Sequence, residues 1–72
     1  MTKTIQYHTV IHQEGRITHV DGVWVGKVPA ATPGSIESCP HLHAYLRRMG
    51  TDGWELCGTV PIGERSQMIF KR

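Results

Sequence analysis

No stretch of the chain approaches the roughly 20 consecutive apolar residues that a membrane-spanning helix needs, and its opening, MTKTIQYHTV, lacks the apolar run of an export signal. A membrane partner is therefore not expected, and a cytoplasmic location is. Charge of one sign is also lacking: eight Lys plus Arg stand against six Asp plus Glu, and only Arg47-Arg48 and Lys71-Arg72 are adjacent basic pairs. So scattered a balance does not point to a nucleic-acid partner. Cysteine is scarce, and Cys39 and Cys57, in a chain without an export signal, are expected to be reduced thiols rather than a crosslink. There are no internal repeats or low-complexity tracts. No glycine-rich phosphate loop, Ser/His/Asp pattern or paired carboxylates appear at usable spacing. With 72 residues there is room for a single domain, 1–72. Such a core is worth about 3 to 5 kcal/mol unless a disulfide, a metal or a partner chain helps.

What is present is short-period alternation. Thr4 to His12 sets Ile5, Tyr7, Thr9 and Ile11 on one side and Gln6, His8, Val10 and His12 on the other, the pattern of a strand. Gln13-Glu14-Gly15 reads as a three-residue hairpin loop whose glycine takes the left-handed position. Arg16 to Val20 forms the second strand. Asp21-Gly22 is a two-residue turn signal, and Val23 to Val28 forms the third strand. These turns imply a register: Val20 opposite Val23, His19 opposite Trp24, Ile11 opposite Ile17 and Thr9 opposite His19. One face of the meander then carries Ile5, Tyr7, Ile11, Ile17 and Trp24, and the other carries Val10, Val20, Val23 and Val25. One helix covers one face, so the valine face is expected to meet either another sheet or another copy of the chain.

Residues 29–38, PAATPGSIES, read as a connecting loop. A helix is expected from Ser38 or Cys39 to Met49, with Pro40 in its first turn and Gly50 as its left-handed stop. Leu42, Tyr45, Leu46 and Met49 make one apolar stripe. A fourth strand, Trp54 to Val60, ends at Pro61, with Trp54, Leu56 and Val60 on one face. A fifth, Gln67 to Lys71, closes a C-terminal hairpin with Met68 and Phe70 on one side and Ile69 on the other. The expected architecture is α+β: about five short antiparallel strands packed on one helix, in the order β-β-β-α-β-β.

Leu42, Leu46, Gly50, the run Gly53-Trp54-Glu55-Leu56 and the ending Met68-Ile69-Phe70-Lys71-Arg72, with Tyr7 in an early strand, resemble a small bacterial and phage family. That family is catalogued as domain of unknown function 4177. The likeness covers the first strand and residues 42–72; residues 13–38 are a hairpin and loop insertion relative to it. The resemblance implies a fold, with no catalytic residues to carry over.

Cys39-Pro40-His41-Leu42-His43 holds three residues that can ligate zinc. On a helix, positions 41 and 43 lie about 200° apart, so both imidazoles cannot reach one ion. Solvated histidines at a helix start are the plainer reading, and no metal or other cofactor is expected. Five histidines also raise acid–base chemistry or pH sensing, yet a catalytic imidazole needs an oriented partner, and none is evident from spacing. Trp24 among Ile11 and Ile17 reads as core before it reads as a stacking platform.

The chain is therefore expected to be a non-catalytic binding or interaction module that works as a homo-oligomer, with Val10, Val20, Val23 and Val25 at its interface. A small anionic ligand or a protein partner would meet His8, His19, Trp24, Arg47 and Arg65. The alternatives are a metal- or pH-responsive regulator using Cys39, His41 and His43, and a minor enzyme.

Overall fold

In a computed structural model, residues 4–72 are described. Three strands come first, β1 (Tyr7–Gln13), β2 (Arg16–Val20) and β3 (Val23–Trp24). A 3-10 turn, Ile36–Ser38, precedes the single α-helix, α1 (Leu42–Thr51), and β4 (Glu55–Ile62) and β5 (Arg65–Lys71) follow. The strands make one antiparallel sheet in the order β3-β2-β1-β5-β4, with the first and last strands side by side at its centre. Among the described residues no helix is long and apolar enough to cross a membrane.

Both N-terminal turns are two-residue turns with two positive φ values, Glu14 (53°) and Gly15 (75°), then Asp21 (50°) and Gly22 (83°). This is the type I′ form whose twist matches the flanking strands. The first differs from the expected three-residue loop. Glu14 takes the left-handed position as well, at about 1 kcal/mol for a residue with a Cβ. Gln13 then pairs with Arg16 and His12 with Ile17, and the extra residue moves into β2, where Thr18 forms a bulge before Ile11 meets His19. Ile11 does not face Ile17, nor Thr9 His19. Val20–Val23 and His19–Trp24 pair as the second turn requires.

The bulge decides the faces. Ile17 and Val20 are three apart and would point oppositely in a regular strand; the extra residue puts both on the side of Val10. The core is therefore Val10, Ile17, Met49, Met68 and Phe70, with Val20, Val25, Leu42, Tyr45 and Trp54 packed against it. The valine side is the helix side, which overturns the proposed interface. Val10 is 0% exposed, Val20 and Val25 pack on the core, and of the four only Val23, in a two-residue edge strand, is open at 65%.

The helix starts later than expected because the sheet holds its approach. Ile17 N–H donates to Pro40 O and Leu42 N–H donates to Gly15 O, so residues 40–42 lie along β2 beyond β3. His41 is left extended, as N-cap. The stop is Gly53 and not Gly50. Gly53, at φ 85°, donates to Gly50 O, and Trp54 donates to Met49 O, the paired bonds of a Schellman motif, with Trp54 packed against the core to which Met49 belongs. Leu46, counted in the apolar stripe, stays 36% exposed.

In β4 a second bulge, at Cys57, places Leu56 opposite Phe70 on the helix side and Val60 opposite Gln67 on the far side. Those two leucine and valine side chains therefore do not share a face. Pro61 lies inside the strand, which runs on to a Gly63-Glu64 turn.

Candidate functional site

A cleft of about 360 Å³ opens between α1 and the sheet, walled by His8, Tyr45 and Trp54 with Arg48 and Asp52 on its rim and Val20 and Val25 beneath. It continues into a hollow of about 350 Å³ toward Pro40 and Ala44, sharing Val20, Val25, Tyr45 and Arg48. One groove thus follows the flank of the helix.

Three elements supply a chain of hydrogen bonds along its wall. Asp21, in the type I′ turn, accepts the Thr9 N–H at Oδ1 (2.9 Å), while its backbone N–H donates to Thr9 O (2.8 Å), so the turn fixes the carboxylate beside β1. The free oxygen, Oδ2, lies 2.9 Å from His8 Nδ1. His8 stands on the helix side of β1, opposite Phe70, and its Nε2 lies 2.8 Å from the Tyr45 hydroxyl. A carboxylate accepts only, so in the neutral imidazole the proton sits on Nδ1 and Nε2 accepts from the phenol. Burial first, and then the Asp21 charge, raises the Tyr45 pKa above its ordinary value, partly offset by Arg48. The hydroxyl therefore stays protonated and able to donate.

The His8 ring packs 5.2 Å from Trp54 and 6.4 Å from Tyr45 between centroids. Arg72 lies over the Trp54 ring at 4.4 Å and donates to Asp52 O and to Gln6 Oε1, which ties the chain end to the helix end. Both ring nitrogens of His8 are thus engaged, and the imidazole is an oriented part of the cleft wall.

Compared with known proteins, the chain matches no family model, no curated protein and no solved structure. The site is therefore read from its own geometry.

Of the residues expected to meet a ligand, His8 alone lines the cleft. His19 and Trp24 pair edge-on at 5.5 Å on the opposite face of the sheet. The Trp24 indole donates to Val28 O, and Gly26 lies so close to its ring that a Cβ there would meet it at 2.6 Å, so this tryptophan anchors the loop. Arg47 and Arg65 are exposed and line neither the cleft nor the hollow beside it; Arg48, the other member of the basic pair, reaches both. Asp21, Tyr45, Trp54, Arg48 and Asp52 were not expected at a site. For Tyr45 the signal was available, since a hydroxyl inside an apolar stripe needs a partner.

Among the described residues no three His, Cys, Asp or Glu side chains gather as a metal site. The Cys39 thiol is buried and donates to Ser35 O, and burial raises its pKa. His41 lies outside the helix, so the helical separation from His43 does not apply, and their rings stand 5.4 Å apart.

Proposed function

We propose that the protein is a non-catalytic binding module of the cytoplasm that takes a small planar organic anion in the cleft beside α1. The observation that carries this reading is the clamped imidazole: Asp21 and Tyr45 hold His8 from both sides and fix an aromatic wall, with Trp54 next to it and Arg48 at the mouth. Such a wall is rigid before a ligand arrives, which lowers the ordering cost of binding. Arg48 supplies a forked donor for a carboxylate. Asp52 on the rim opposes a high negative charge, favouring a monoanion such as an aromatic carboxylate over a polyphosphate.

The likeness of residues 42–72 to the domain of unknown function 4177 is part of the same proposal. Gly53 and Trp54, the start of its Gly-Trp-Glu-Leu run, make the helix stop and the cleft wall, which gives those residue types a physical reason for standing together.

Nuclear magnetic resonance titration with indole-3-carboxylate and benzoate tests the binding reading. The Trp54 indole N–H signal should move and saturate while that of Trp24 stays, and Arg48→Ala should abolish the change. A titration in which neither indole signal moves, or both move alike, contradicts it.

A further inference from the structure

The two edges of the sheet are treated differently. On one side, β3 and residues 40–42 between them cover β2: Val25 N–H donates to Thr18 O, Ile17 N–H to Pro40 O and Leu42 N–H to Gly15 O. On the other, β4 runs eight residues along the open edge, and among the described residues no backbone bond outside its ladder with β5 involves positions 55–62. Leu56, Val60 and Ile62 are 54%, 45% and 47% exposed. A long, apolar, unpaired edge is a template for another strand.

We infer that β4 pairs antiparallel with β4 of a second copy about a two-fold axis at Thr59, joining two five-stranded sheets into one. Three features of the strand fit that register. The two-residue turn makes Ile62 and Arg65 the hydrogen-bonded closing pair, so by alternation Thr59 and Pro61 direct their backbone groups outward. Thr59 on the axis exchanges two bonds with its counterpart. Pro61, with no N–H to give, falls opposite Cys57 of the second copy, at the bulge where the ladder is already interrupted. Val60 falls opposite Gly58, beside which there is nothing within 4 Å of a notional Cβ.

Charge complements shape. Glu55 opens β4 and Arg65 follows its far end, on the same face of the sheet. Antiparallel self-pairing sets each Glu55 opposite Gly63 of the other copy, two residues before Arg65, and the symmetry makes this approach twice. A second copy, not a foreign peptide, matches an edge with Glu55 at one end and Arg65 just past the turn at the other.

Sedimentation of the full chain across micromolar concentrations tests the inference. The chain should reach dimer mass, and Thr59→Pro, which removes the outward donor on the axis, should remain monomeric with an unchanged circular dichroism spectrum. Glu55→Arg and Arg65→Glu should each weaken dimerisation about tenfold, and the double reversal should restore it. Should Thr59→Pro unfold, the charge-reversal set decides alone. A wild-type chain that stays monomeric, or a dimer whose double reversal is no tighter than the single ones, overturns the inference.

Discussion

The Nε2 of His8 lies 2.8 Å from the hydroxyl of Tyr45, and this contact joins the first strand to the helix across 37 residues of chain. Because Asp21 holds the other ring nitrogen, one imidazole links β1, the β2–β3 turn and α1. The cleft wall and the seating of the helix are thus the same structure.

Tyr45→Phe should destabilise the fold by about 1 kcal/mol, because the ring packing survives while a half-buried Nε2 loses its donor. Chemical denaturation checks this. A variant as stable as the wild type would mean that water serves Nε2 equally well.

The same residue sets a pH dependence. The folded-state pKa of Tyr45 is raised, chiefly by burial, so the unfolded chain ionises first as the solution is made alkaline. The stabilising contribution is complete below the ordinary tyrosine value of about 10 and is lost as pH rises through the folded-state value. Melting curves between pH 8 and 11 should fall more steeply for the wild type than for Tyr45→Phe.

Two glycines give opposite predictions. Gly53→Ala forces a side chain into the left-handed region at φ 85° and should cost about 1 kcal/mol. Gly50 lies within α1 with open space around a notional Cβ, so Gly50→Ala should stabilise by up to about 1 kcal/mol. Thermal unfolding of the two variants separates them by sign.

Val10→Ala should cost about 2 kcal/mol, since it leaves a cavity among Ile17, Met68 and Phe70, whereas Val23→Ala should change stability by less than about 0.5 kcal/mol. Equal effects would return the four valines to a common surface.

The contrast between Val10 and Val23 shows what could be read in advance. Asp21-Gly22 demanded a two-residue turn by its chemistry, and the pairs Val20–Val23 and His19–Trp24 followed. Leu42, Tyr45 and Met49 stood out by helical spacing and do face the sheet. The bulge at Thr18 left no mark, because threonine suits a regular strand as well as an irregular one, and a one-residue slip exchanges the faces. Gly50 reads as the stop by residue type; the stop is Gly53, through the bonds from Gly53 to Gly50 and from Trp54 to Met49, which only the fold reveals. His8 was named from its abundance of chemistry, but its partners are distant in sequence, and no spacing rule joins residues 8, 21 and 45.

The most direct test is the nitrogen-15 spectrum of the His8 ring at pH 8.5, where long-range couplings assign the protonated nitrogen. A proton on Nδ1, with the Nε2 signal shifting in Tyr45→Phe, is the predicted result. A proton on Nε2, or an unlocked mixture of tautomers, would contradict the clamp and with it the rigid cleft wall.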